Sequence, residues 1–136
     1  MTPAAAEHLA FAHEKIAEAR TILERTELWA AGARSAYLAA LAAARAIIRE
    51  QTGKSPKTHT GTRSEIARLA KLDGRIDRSF SGFLAKGYEV KSEADYGDHF
   101  AEGVSRSEAS DILATATRLV AHAETLLTEP DPPPAA

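Results

Sequence analysis

Between Ala31 and Ala46 the chain carries nine alanines, with Tyr37 and Leu41 set among them and Ile47 and Ile48 following directly. Tyr37, Leu41, Ala44 and Ile48 recur at the spacing of one helical face, so the segment from about Ala30 to Glu50 reads as a helix. Alanine is the best helix former and its small side chain lets neighbouring helices approach closely. A helix so poor in bulk and charge belongs in the middle of a bundle. The same stripe of alanines can serve either the core of one chain or the interface of a homodimer.

Segments that can surround such a helix are present on both sides. From about Ala5 to Leu28, Leu9, Ile16 and Leu23 are seven apart, with Ala12 and Ala19 between them, which makes one narrow apolar seam. Gly53 and Pro56 end the central helix and leave a loop from Thr52 to Thr60. Thr62-Arg63-Ser64-Glu65 has the form of a capping box and predicts a short helix through Ile66, Leu69 and Leu72, stopped by Asp73-Gly74. A further helix passes through Ile76, Phe80, Phe83 and Leu84, weakened by Gly82 and Gly87. The stretch from Glu89 to Val104 has no clean period and reads as a long connection. Ser105-Arg106-Ser107-Glu108 is a second capping box, opening a last helix whose apolar face is Ile112, Ala116, Leu119, Ala123 and Leu126. The expected fold is all-α, an up-and-down bundle of four to five helices over residues 1–128. The proline-rich segment 129–136 is expected to be a disordered tail.

Composition removes several function classes. The chain has no cysteine, which excludes disulfides, thiolate metal sites and a cysteine nucleophile. No stretch approaches the ~20 apolar residues that span a bilayer, and the N-terminus lacks the pattern of a secretory signal, so a soluble cytoplasmic protein is expected. None of His8, His13, His59, His99 and His122 is paired at the i, i+4 spacing of a helical metal site, and no metal or cofactor is expected. Asp95, Asp98 and His99 sit together but read as a solvated acidic segment. Gly53-Lys54-Ser55 lacks the upstream glycine and the strand of a phosphate loop.

Charge is more informative locally than globally. The formal net charge of −2 gives no overall nucleic-acid footprint. Yet from Arg34 to Lys57 there are five basic residues, Arg34, Arg45, Arg49, Lys54 and Lys57, against the single acid Glu50, a net of +4. His59 follows two residues later. These cations read either as a solvated helix edge favoured by the C-terminal helix dipole or as a surface for phosphate or another anion, formed by Arg34, Arg45, Arg49, Lys57 and His59.

Three segments in register resemble one family. Ala36-Tyr37-Leu38-Ala39-Ala40-Leu41-Ala42-Ala43-Ala44-Arg45-Ala46-Ile47-Ile48 resembles the central helix of HEPN-domain proteins. Pro56-Lys57-Thr58-His59-Thr60-Gly61 resembles that family's Lys-Thr-His loop, and Val90-Lys91-Ser92-Glu93-Ala94-Asp95-Tyr96 its Ala-Asp-Tyr segment. The likeness covers about residues 30–127. It implies a helical bundle that commonly dimerises and, in many bacterial members, pairs with a small nucleotidyltransferase in toxin–antitoxin or defence systems. Many members are metal-independent ribonucleases whose Arg and His, with four to six residues between them, face their copies across the dimer. By this alignment Ser35 stands at the arginine position and Ala42 at the histidine position, with Arg34 one residue away. The resemblance therefore implies a dimeric, non-catalytic module that binds a nucleotidyltransferase-like partner or RNA, with Asp95 and Tyr96 as candidate partner contacts. Two alternatives stand beside it. One is a ribonuclease with a displaced site, Arg34 or Arg45 with Lys57 and His59; the other is a regulatory module that binds a nucleotide or small anion.

Overall fold

A computed structural model describes residues 1–95 and 103–129, the side chains of 89–95 excepted. Over these residues the chain forms five helices and no strand: α1 (Pro3–Arg25), α2 (Trp29–Thr52), α3 (His59–Leu72), α4 (Ser79–Asp95) and α5 (Arg106–Thr128). The all-α bundle expected from periodicity is the observed fold. No helix among the described residues is long and apolar enough to cross a membrane.

Each helix begins and ends for a local reason. Pro3 opens α1, where a missing N–H costs nothing, and the Thr2 hydroxyl accepts from the Ala5 amide at 3.2 Å. α2 stops at Gly53, whose φ of 74° is a left-handed conformation that only glycine adopts without strain. Arg49 closes that end by donating to the Gly53 carbonyl and to Ser55 Oγ. Ser105 caps α5 by accepting from the Glu108 amide at 3.0 Å, as its capping box predicts.

Two boundaries differ from expectation. α3 starts at His59 rather than after Thr62, because Thr58 is the better-placed cap and accepts from the Gly61 amide at 2.9 Å. Thr62 is instead inside the helix and fully buried. α4 continues through Glu89 to Asp95, a run expected to be an irregular connection. Nothing there breaks a helix; residues such as Glu, Lys and Ala favour one, and the run lacks only the apolar period by which helices are read. Residues 89–95 of the expected long connection are thus helical. Tyr96, Asp98 and His99, and the tail from 130 onward, lie outside the described residues.

α2 is the axis on which the bundle is built. It packs against α1, α3, α4 and α5, and 15 of its 24 residues are buried. Ala39, Ala40 and Ala43 are completely inaccessible. The alanine stripe is therefore core within one chain, and it is not the dimer interface that the sequence left open. Around it, α1 contributes Leu9, Ala12, Ile16 and Ala19, and α5 contributes Ile112, Ala116, Leu119 and Ala123. Tyr37 and Phe80 are the largest of the fully buried side chains.

Polar contacts fasten the outer elements. His13 Nε2 meets Glu124 at 2.9 Å across α1 and α5. Asp77, in the turn before α4, bonds Arg118 of α5, while its amide donates to His122 Nε2 at 3.1 Å. Partial burial works to raise the Asp77 carboxyl, but hydrogen bonds from Ser79 and Arg118 outweigh it and bring its pKa down to about 2. Because the folded value lies below the unfolded one, this group stabilises the fold above about pH 4 and ceases to as pH falls through about 2.

Two outcomes follow. Ala40→Glu buries an unpaired charge in the bundle and should cost at least about 3 kcal/mol; thermal melts should show collapse of the fold, and a stable monomer of unchanged melting temperature would contradict the interior placement. Asp77→Asn should cost about 1 kcal/mol at pH 7, solvent screening included, and the difference from the parent should vanish by pH 2. A pH-independent difference would mean that the carboxylate charge is not what stabilises the turn.

Candidate anion-binding site

α2 presents two polar side chains, Tyr37 and Arg45, to the start of α3. The Tyr37 ring is buried, 1% exposed, yet its hydroxyl lies 2.7 Å from His59 Nδ1. The two rings stack with centroids 5.6 Å apart and planes 19° from parallel. Eight residues further along α2, the Arg45 Nε donates to Thr62 Oγ1 at 3.2 Å. His59 and Thr62 are three apart and so share one face of α3. Thr62 returns its own proton to the Thr58 carbonyl at 2.9 Å. Tyr37–His59 and Arg45–Thr62 are thus two polar bonds that fix the first turn of α3 against α2.

α4 closes the third side. A Cβ at Gly87 would fall 2.2 Å from the Tyr37 ring, so only glycine lets α4 approach this closely. The next residue, Tyr88, sets its ring edge-on to His59, with centroids 5.3 Å apart at 67°, and is 46% exposed. The result is an aromatic cluster with a buried root at Tyr37 and an accessible rim at Tyr88.

The electrostatics follow from burial. Burial, reinforced by Tyr88, pushes the Tyr37 hydroxyl up to about 12 against the opposing charge of Arg45 and Arg63. Tyr37 therefore keeps its proton, and its hydroxyl donates to His59 Nδ1 where that nitrogen is bare and accepts from it where it carries the proton. Arg45 is half-buried; burial lowers its pKa, and the phenol of Tyr37 is the neighbour that opposes this. Among the described residues no carboxylate ion-pairs with Arg45. His8 of α1 lies near enough that its pKa falls, through burial first and then through the charge of Arg45, with Glu7 opposing.

The structure thus sorts the residues singled out from sequence. Arg45 and His59 are brought together, joined by Tyr37 and Thr62. Arg34 lies toward α1, where it helps Lys15 and Ser35 hold the Glu18 carboxyl low, and it is not among the charges acting on Tyr37. Arg49 is engaged in closing the end of α2. Lys57 is exposed on the loop before α3. Ser35 and Ala42, at 2% and 4% exposure, lie inside the bundle. The Asp95 side chain and Tyr96 lie outside the described residues. No cluster of histidines and acids able to hold a metal occurs among the described residues.

Sequence reasoning took Tyr37 as a core aromatic, Gly87 as a weak point in a helix and Thr62 as a cap. It did not name Tyr88, and it considered His8 only as a metal ligand. The one signal available was Gly87, a glycine kept within a run that otherwise favours helix.

The HEPN domain family profile matches residues 5–126. The chain belongs to the HEPN domain family. Comparison with curated proteins gave no match. In this HEPN chain the match spans α1, α2, α3 and α4 and nearly all of α5, so the aromatic cluster and Arg45 both lie within the family's domain.

Gly87→Ala should destabilise the protein by about 1 to 3 kcal/mol, because a methyl must displace the Tyr37 ring or α4. Tyr37→Phe should cost only about 1 kcal/mol, since it removes one hydroxyl and keeps the ring. Melting curves on the two variants test this, and a Gly87→Ala protein as stable as the parent would show that the contact with Tyr37 is not tight.

Proposed function

We propose that this HEPN protein is a non-catalytic interaction module that binds RNA phosphate at the surface of Arg45 and His59, flanked by Lys57 and Tyr88. The observation that carries the reading is Arg45: a half-buried guanidinium that, among the described residues, donates to the Thr62 hydroxyl and ion-pairs with no carboxylate. A desolvated cation without an anion is unfavourable, and a phosphate would relieve it with a charge-assisted bond. Tyr88 adds an exposed aromatic face on which an unpaired base can stack. Family membership fits a role connected with nucleotides or RNA, or with protein association. In that setting the module would act as a homodimer with a nucleotidyltransferase-like partner in a toxin–antitoxin or defence system. The dimer must then form through a surface other than the alanines of α2.

One observation favours a second reading, a metal-independent ribonuclease. The Tyr37–His59 bond fixes an imidazole close to Arg45, and a histidine beside an arginine can move a proton while the cation steadies a phosphate. That site would use Arg45 with His59, not Arg34.

End-labelled structured RNA incubated with the protein in excess chelator separates the two. Binding without cleavage, weakened about tenfold or more by Arg45→Ala and falling with added salt, is the expected result. Cleavage by the parent that His59→Ala abolishes would replace the module with the ribonuclease. An Arg45→Ala protein that binds RNA as the parent does would sink both.

A further inference from the structure

A groove of about 370 Å³ lies between α3 and α4, lined by Ala67, Ala70 and Lys71 of α3, by Arg78 just before α4 and by Ser81 within it. Its charge is of one sign. Lys71 and Arg78 are exposed and, among the described residues, neither is hydrogen-bonded or ion-paired. The acids nearest to them in sequence are engaged elsewhere, Asp73 with Arg75 and Asp77 with Arg118. Two cations thus share one hollow with no acid in its lining. The alanines beside them are too small to fill it.

α5 delivers a segment of matching chemistry to this place. Its last residue, Thr128, and its cap, Glu129, border one hollow together with Arg75. Arg75 stands four residues after Lys71 and three before Arg78, in the turn where the groove begins. Residues 130–136, which follow Glu129, consist of four prolines and two alanines around a single charged residue, Asp131. Extended as polyproline II at about 3.1 Å per residue, seven residues span about 22 Å. From Arg75 to Arg78 is at most about 11 Å of chain, and from Lys71 back to Ala67 about 6 Å of helix. The segment is long enough to cover both.

The order of its residues fits as well. Asp131, two residues past Glu129, comes first to the cations beside the turn. Pro132, Pro133 and Pro134 then meet the alanines farther along α3. Proline has its φ already fixed, so less entropy is lost when such a run is laid down. The tether also supplies it at an effective concentration of about millimolar.

We propose that the groove between α3 and α4 is the docking site of this chain's own residues 130–136, with Asp131 ion-paired to Lys71 and Arg78 and the prolines covering Ala67 and Ala70. This contact is separate from the Arg45 surface and does not depend on what that surface binds.

The chain has no cysteine, so Ala135→Cys gives a single attachment point for a nitroxide label. Amide NMR spectra of the labelled full chain are compared with those after the nitroxide is reduced. The label should erase the signals of Ala67, Ala70 and Ser81 and spare those of Ala5 and Ala6 in α1, whose preceding Met1 borders the same end of α5. Asp131→Lys should restore the groove signals, and adding Lys71→Glu and Arg78→Glu to that variant should erase them again. Equal losses in the groove and at the start of α1 would mean that the segment samples its surroundings without docking, and would overturn the proposal. So would groove signals that survive the label, which would leave the groove to an external anion, or losses that Asp131→Lys leaves in place.

Discussion

The structure depends on the packing of α2, a helix that is buried along most of its length and in which alanine is the commonest residue. Burial of a bare helix is possible because its backbone donors and acceptors are satisfied internally, so only side chains decide what may surround it. Alanine places four neighbours close to that axis without leaving voids, and close packing is what an interior requires. The consequence is strict. Any polar side chain on α2 must either find a partner or reach the edge of the bundle.

Tyr37 and Arg45 show the two ways of meeting that requirement. Tyr37 is buried and answers with a bond to His59, which ties the first residue of α3 to the core. Arg45 extends to the edge and answers with Thr62, one turn later on α3. The features that hold α3 in place are thus the same features that assemble an imidazole, a guanidinium and an aromatic rim. Gly87 belongs to this arrangement, since α4 carries Tyr88 to His59 only if α4 can lie against the Tyr37 ring. Fold and site share these residues, and most substitutions among them should disturb both.

How much of this was legible in the sequence depends on range. Helix number, the central position of α2 and the Ser105 cap follow from local chemistry that acts over three or four residues, and each was readable. The start of α3 was not, because Thr58 and Thr62 are both plausible caps, and the choice is made by Arg45, seventeen residues before Thr62, which needs the threonine inside the helix. The C-terminal half of α4 was hidden because periodicity detects a buried face, and this run shows no such period. The alanine stripe was ambiguous between core and dimer because alanine suits either; only the packing of α1, α3, α4 and α5 around one chain decides it. The site itself joins residues from three helices, and nothing in linear order marks Tyr37, His59 and Tyr88 as neighbours.

A chain of net charge −2 is an unpromising binder of anions if its charge is taken as a whole. The pairing pattern changes that judgement. Glu65 is held by Arg68, Asp73 by Arg75, Asp77 by Arg118 and Glu18 by Lys15, so these carboxylates are neutralised within their own turns or at α5. A paired charge contributes little field beyond about 8 Å at physiological salt. Arg45, bonded to a hydroxyl and, among the described residues, ion-paired with no acid, keeps its field. What an approaching phosphate meets is therefore set by which cations the fold leaves without carboxylates, and net charge alone is a poor guide to it.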